Sequence, residues 1–115
     1  MAQPNIKALT LIHGKSAAAA ITTTAADLVA NAAASGKVLK VNAMYISNTT
    51  AGDLKVNVTF KRGANSFHVA KDIIIPKEAS LDLLAKHIYL EEGDSLQAQG
   101  SAAGLEAVAS YEELQ

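Results

Sequence analysis

The chain has 115 residues, of which half are apolar, 4% are aromatic and none is cysteine. This length fits one domain with a modest hydrophobic core. A formal net charge of −1 argues against nucleic acid as a partner, because proteins that bind it usually carry a strong basic patch. The lack of cysteine excludes disulfides, thiolate metal sites and cysteine nucleophiles.

Neither a targeting segment nor a membrane span is predicted. Met1–Asn5 has no basic head and no apolar stretch behind it, which argues against a signal peptide. No apolar run approaches the roughly 20 residues that span a bilayer. The sequence therefore predicts a chain made in the cytoplasm, with no membrane partner.

The first third of the chain combines two conflicting signals. Ile6–Lys15 contains apolar residues at short spacing and predicts an opening strand. The alanines of Ser16–Ser35 favour a helix, whereas the β-branched run Ile21–Thr24 is poor inside a helix and good in a strand. We expect this segment to be extended, with a short helix within Ala25–Ala34 as the open alternative.

The middle of the chain gives the clearest strand signals. Lys37–Asn48 places apolar groups on both faces, which suits a buried or bulged strand. Leu54–Phe60 then alternates strictly between apolar and polar residues, so one face is core and the other is solvated. The loop Arg62–Asn65 leads into a returning strand that ends at Pro76, because proline cannot donate to a ladder.

Short apolar runs separated by turn residues continue to the end of the chain, at Leu81–Leu84, Ile88–Leu90, Leu96–Gly100 and Leu105–Glu112. Such spacing is typical of a sandwich or jelly roll. The predicted fold is all-β: a single-domain antiparallel β-sandwich over residues 1–115, jelly-roll-like, with about eight short strands. A short N-terminal arm over about residues 1–7 and a C-terminal tail over about residues 112–115 flank it.

An acidic corner, Glu91–Asp94, separates two of these strands. Gly93 supplies a permissive backbone there, and the Asp94 side chain can bond backbone amides just beyond the glycine. The cluster invites a calcium hypothesis, but calcium needs six to eight oxygens, usually from a longer loop. The simpler interpretation is a solvated corner with an Asp-capped turn.

No convincing catalytic or metal constellation is present in the sequence. The histidines at 13, 68 and 87 share no metal-ligand spacing. Glu112 and Glu113, with Asp94, resemble paired carboxylates, but glycoside hydrolysis also needs a cleft lined by aromatic side chains. We therefore predict no enzyme activity, no metal site and no cofactor.

The only basic concentration lies around one predicted hairpin, where Lys61 and Arg62 have Lys55 and Lys71 nearby. The alternation puts Lys55 and Lys61 on the solvated face of their strand, so a solvated face is the default interpretation. A contact with an acidic partner surface is the functional alternative.

The order of elements resembles small virion structural proteins of tailed bacteriophages, especially marine phages and cyanophages. The resemblance covers nearly the whole chain. The matching stretches are Ser16–Leu28, Ala34–Val38, Val41–Asn48, Phe67–Lys71, Ile75–Pro76, Ile88–Leu96 and Leu105–Leu114. It implies a β-sandwich presented in many copies on a virion, and it carries over no catalytic residues.

The resemblance implies a non-enzymatic structural subunit, foremost a capsid decoration or cement protein that stabilises the particle through multivalent contacts. Its expected partners are the major capsid protein or neck and tail components, together with further copies of itself. The alternative is a receptor- or carbohydrate-binding module of a fibre, neck or baseplate. The residues expected to contact partners are Asn5, Ile6, Lys7, Lys55, Lys61, Arg62, Glu112 and Glu113.

Overall fold

The computed structural model describes residues 4–115. Within that range, a 3₁₀ turn at Ile6–Ala8 precedes nine strands. The strands are β1 (Ile12–Ile21), β2 (Ala26–Ala30), β3 (Val38–Asn48), β4 (Leu54–Arg62), β5 (Asn65–Ile75), β6 (Ser80–Asp82), β7 (Ile88–Leu90), β8 (Asp94–Gly100) and β9 (Leu105–Leu114). All the pairings between them are antiparallel.

The strands form two sheets that pack as a sandwich. One sheet has the order β1-β9-β3-β6, with β7 also pairing with β3, and the other has the order β2-β8-β4-β5. If β6 and β7 are counted as two pieces of one strand, the first strand pairs with the last, the second with the next to last, and so on inwards. A long hairpin rolled up on itself gives this order, which is that of a jelly roll. The predicted all-β sandwich is confirmed.

Aliphatic side chains from both sheets fill the space between the layers. Met44 and Ile46 of β3 are fully buried, as are Val56 and Val58 of β4 and Leu96 of β8. The predicted alternation in β4 places its apolar residues inwards, as expected for a sheet with one solvated face. The core is therefore built almost entirely from Val, Ile, Leu, Met and Ala.

The beginning of the chain differs from the prediction in where the first strand lies. Ile6–Ala8 is a 3₁₀ turn, and β1 begins only at Ile12 and continues through the alanine run to Ile21. Helix propensity is overridden because each residue of β1 is paired with β9. The expectation that Ser16–Ser35 is extended is confirmed, since β1 and β2 occupy most of that segment.

The C-terminal residues form part of a strand, so the expected tail over residues 112–115 is wrong. Glu112 and Glu113 lie in β9, between β1 and β3 of the same sheet. Gln115 accepts backbone hydrogen bonds from Thr10 and Leu11 and donates one back to Leu11. This end of the chain is therefore held within the sandwich itself.

The described part of the expected N-terminal arm is also structured. Asn5 caps the 3₁₀ turn by accepting a hydrogen bond from the Lys7 N–H at 3.0 Å. The segment then returns to Gln115 as described above. Residues 1–3 of the expected arm lie outside the described residues.

Candidate functional site

Three loops meet at one end of the sandwich, which we call the Gly93 end. They are the β2–β3 loop (residues 31–37), the β4–β5 hairpin (residues 62–65) and the β7–β8 corner (residues 91–94). Gly93 has a φ of +88°, a backbone conformation that favours glycine. The corner that the sequence singled out therefore lies among loops that are distant from it in the chain.

An ionic cluster ties the hairpin to the corner. Arg62 donates to Asp94 from Nε to Oδ1 at 2.9 Å and from Nη2 to Oδ2 at 2.7 Å, and it also binds Glu91. The N–H of Glu91 donates to Asp94 Oδ2 at 2.9 Å. The Asp94 side chain is buried, with 2% of its surface exposed, whereas Arg62 remains half-exposed.

The protonation of the cluster follows from these contacts. The hydrogen bond from Arg62 lowers the pKa of Asp94, and the bond from the Glu91 N–H adds to this against the opposing effect of burial. The same pairing raises the pKa of Arg62. Both groups are therefore charged across the neutral range, and neither is poised to exchange a proton near pH 7.

The expectation of a solvated corner is wrong for Asp94, which is buried and paired. Its side chain does cap the turn, but through the N–H of Glu91, three residues before it, and not through the amides just beyond the glycine. The calcium hypothesis is not supported either, because the carboxylates of this corner already bind other groups of the protein. Glu91 and Asp94 face the guanidinium of Arg62, and Glu92 accepts from the Gly36 N–H at 2.8 Å. Within residues 4–115, no group of three or more His, Cys, Asp or Glu side chains could hold a metal ion.

Asn31 connects the third loop to the same end. Its Nδ2 donates to the carbonyl oxygens of Lys37 at 2.9 Å and Leu90 at 3.0 Å, and its Oδ1 accepts from Ser35 Oγ at 2.6 Å. Asn31 is buried at 4% exposure. The sequence analysis missed this residue, because an asparagine before an alanine run carries no local signal for a partner 59 positions away.

The paired carboxylates of β9 point to different partners. Glu113 accepts from Lys15 at 3.1 Å and Lys37 at 3.3 Å. Burial raises the pKa of Glu113, but the two ammonium groups together outweigh it and lower the pKa below its ordinary value. Glu112 instead accepts from Asn42 at 3.3 Å on the exposed face. The lowered pKa keeps Glu113 charged near neutral pH.

The expected contact residues fall into two groups. Ile6 lines a cavity of about 250 Å³ with Tyr89 and Glu91, so the N-terminal segment borders the Gly93 end. Arg62 and Glu113 lie at that same end, through Glu91 and Lys37 respectively. Lys55 stands near the opposite end of β4 and is not brought together with them.

The remaining charged candidates are available to solvent. Lys55 is exposed and Lys61 half-buried, and both lie on the outward face of β4 as predicted. Lys7 is exposed beside the 3₁₀ turn. Arg62 differs from them because its charge is used within the molecule.

The chemistry of this end is that of a structural junction. Two open depressions, of about 380 and 450 Å³, share Gly63, Gly93 and Asp94 along their walls. In the part of the chain that the structure describes, every buried side-chain nitrogen and oxygen has a hydrogen-bond partner.

No helix of residues 4–115 combines the length and apolar character needed to cross a membrane.

Comparison with solved structures identifies a protein of similar fold. No protein-family model matches the sequence, and no curated protein does. A solved structure from work on Bacillus endospore appendages, described as a novel family of disulfide-linked pili, superimposes with a TM-score of 0.59 at 15% identity. The match covers 100% of this chain and 96% of that one. The chain is thus similar, over its whole length, to a β-protein of these pili.

Proposed function

We propose that the chain is a non-enzymatic structural subunit that works in many copies, as a component of a bacteriophage virion. The end-to-end structural likeness to a chain from Bacillus endospore pili supports the structural role. The virion setting rests on the resemblance of the sequence to small virion proteins of tailed phages.

The geometry of the Gly93 end supports the absence of catalysis. A catalytic acid or base needs a pKa close to the working pH, usually through burial without a compensating charge. Asp94 and Glu113 have lowered pKa values because each faces a cation. Their pairing stabilises the junction between loops, which is the role expected of a rigid building block.

Copies of this chain would be joined differently from the disulfide-linked pili. The 115 residues contain no cysteine, so contacts between copies through these residues cannot be disulfide bonds. In the virion, the proposed partners are the major capsid protein or neck and tail components, with decoration or cementing of the capsid as the specific role. Individually weak contacts then add up through symmetry.

A cryo-electron-microscopy map of a phage particle carrying this protein tests the proposal. We expect jelly-roll density repeated over the capsid lattice, or repeated around the neck or tail. A particle that lacks the protein, with the chain free in the lysate, would overturn the proposal. So would glycan binding by isolated single copies at fibre tips, which would favour the receptor-binding alternative.

Tyrosine placement gives that alternative little support. Tyr45 and Tyr89 are exposed on the outward face of the first sheet, but they pair with Asp82 and Lys40 respectively, in different rows of that face. Tyr111 packs against the core. A sugar-binding platform would need aromatic side chains side by side in a shallow site.

A further inference from the structure

Strand β1 is an open edge of the first sheet. One side of Ile12–Ile21 pairs with β9 in a continuous register, from Ile12 opposite Leu114 to Ile21 opposite Leu105. Among residues 4–115, the backbone of β1 makes no hydrogen bond outside that ladder. Its other side therefore presents a row of free N–H and C=O groups, which is a template for another strand.

The other edges of the sandwich are protected. Proteins block edge strands by making them short, by adding bulges or by placing charges on them. The strands β6 and β7 have three residues each, and β2 is short and bulged after Asp27. The long β5 has two register shifts, and Asp72 in it has a φ of +50°.

Of these devices, β1 has only one charge, which is already paired within the molecule. It has ten residues, no bulge and no proline. Its only acidic or basic side chain apart from His13 is Lys15, whose ammonium group is engaged by Glu113 at 3.1 Å. From Ala17 to Ala20 the side chains are methyl groups, which leave the backbone accessible.

We infer that β1 pairs with β1 of a second copy of this chain, antiparallel and about a twofold axis. A strand added to β1 must itself be an open edge, and among the described residues β1 is the edge without protection. Pairing of like with like makes the interface isologous. The inference deepens the proposed function, on which its biological setting rests, by naming the surface that joins two copies.

Face matching and the largest number of paired residues together favour two registers. Residues directly opposite in an antiparallel pair lie on the same face, and Ala18, opposite the exposed Val108, shows that even-numbered residues face outwards. A twofold axis therefore passes through a residue of β1. Placing Ser16 or Ala17 on the axis keeps nine of the ten residues paired, over Ile12–Ala20 or His13–Ile21.

Both registers avoid a clash of charges. Lys15 faces Ala17 of the second copy when Ser16 is on the axis, and Ala19 of the second copy when Ala17 is on the axis. Like charges directly opposite each other destabilise a strand pair, and neither register creates such a pair. Because alanine side chains bury little area, we expect weak pairing by isolated dimers that symmetry strengthens in an assembly.

Single-cysteine variants test the pairing and read its register, because the chain has no cysteine of its own. Opposite Cα atoms in an antiparallel pair are about 4.5–5.5 Å apart, within the range of a disulfide. We expect Ser16→Cys or Ala17→Cys, whichever is on the axis, to form a disulfide dimer under mild oxidation at about 1 mM. Gly14→Cys is the control, since two copies of it would lie more than about 13 Å apart.

Two substitutions of opposite charge at Ala19 test the same contact without a covalent bond. Ala19 is exposed and faces Lys15 or His13 of the second copy. When Ala17 is on the axis, Ala19→Lys faces Lys15 and should abolish self-association measured by analytical ultracentrifugation, and Ala19→Glu should preserve or strengthen it. Ala30→Lys places the same charge on an exposed alanine of the protected edge β2 and should change nothing.

The outcomes separate this inference from the proposed function. Cross-linking of Ser16→Cys and Ala17→Cys no faster than that of Gly14→Cys would overturn the β1 pairing. Repeated copies in a particle map, joined through another surface, would overturn the pairing and leave the proposed function standing. A β1-linked dimer that never enters a particle would overturn the proposed function and leave the β1 pairing standing.

Discussion

The two oxygens of Asp94 and two nitrogens of Arg62 meet side by side, at 2.9 and 2.7 Å, across 32 positions of sequence. The paired geometry is the strong form of an arginine–carboxylate contact. It locks the β4–β5 hairpin to the β7–β8 corner, and the carboxylate is the buried member. The stability of the Gly93 end therefore depends on Asp94 remaining charged.

Asp94→Asn should destabilise the fold by about 2 kcal/mol. Both oxygens of Asp94 accept hydrogen bonds, from Arg62 and from the Glu91 N–H. An asparagine of the same shape offers one acceptor oxygen, so its amide N–H group is turned towards another donor. Urea denaturation measures the change.

Asp27→Asn is the matched control for that substitution. Asp27 is exposed and accepts a single hydrogen bond, from Gln97 at 2.9 Å. An asparagine keeps one acceptor for it, and surface changes of this kind usually stay within about 0.5 kcal/mol. Equal losses in the two variants would contradict a special role for the buried carboxylate.

Acid should weaken the fold through Asp94 and Glu113. Their pKa values are lowered from 3.8 and 4.5, so folding favours the charged forms. The stability they contribute is present in full above about pH 5 and is lost as the pH falls through the lowered values of the folded state. Urea midpoints between pH 7 and pH 3 measure the loss.

The variant Asp94→Asn/Glu113→Gln isolates these two groups from the other carboxyls. It should be less stable than the natural chain at neutral pH and should lose less on acidification. Parallel pH profiles for the two proteins would show that the acid sensitivity comes from elsewhere.

The local patterns of the sequence predicted the strands because alternation and turn residues act over a few positions. Leu54–Phe60 alternates, and the structure places β4 there with its apolar side chains inwards. The same reasoning placed the first strand too early, at Ile6–Lys15, whereas β1 is Ile12–Ile21. The alanines of β1 form a strand only because they pair with β9, about 90 positions away.

The junction at the Gly93 end could be predicted only in part for the same reason. The residue types of Gly93 and Asp94 are enough to predict a turn. The partners Arg62 and Asn31 are brought in by the sheet topology, which a single sequence does not specify. The open edge of β1 likewise becomes visible only when the other edges are known.

Gly104→Ala should cost about 2 kcal/mol. Gly104 has a φ of +118°, and a Cβ there would run into the Cγ2 methyl of Thr50. Its carbonyl also accepts from Thr49 N at 2.9 Å and Thr49 Oγ1 at 2.8 Å, so the turn is not free to move away. Thermal unfolding measures the loss.

Two companion variants separate the causes at Gly104. Gly52→Ala meets no atom within 4 Å and should be nearly neutral. Adding Thr50→Ser to Gly104→Ala removes the clashing methyl while keeping the hydroxyl that binds Asn48 Oδ1 at 2.7 Å. It should recover the steric part of the loss and leave the backbone strain. A neutral Gly104→Ala would contradict the strain.

Asn31→Ala should be the most damaging single change at the Gly93 end, by about 3 kcal/mol. It removes both donors to the carbonyl oxygens of Lys37 and Leu90 and leaves these groups without their partner. Asn42→Ala is the control, because Asn42 is exposed and, within residues 4–115, its side chain binds only Glu112. In urea denaturation, Asn42→Ala should lose only a small part of the free energy of unfolding that Asn31→Ala loses.

Asn31→Asp tests whether donation by Asn31 is what matters. A carboxylate cannot donate to the carbonyl oxygens of Lys37 and Leu90, but a protonated carboxyl regains one donor. Burial raises the pKa of such a carboxyl, so the deficit relative to the natural chain should grow as the pH rises and shrink as it falls. A deficit that is constant with pH would show that the size of the side chain, not its hydrogen bonds, holds the loop.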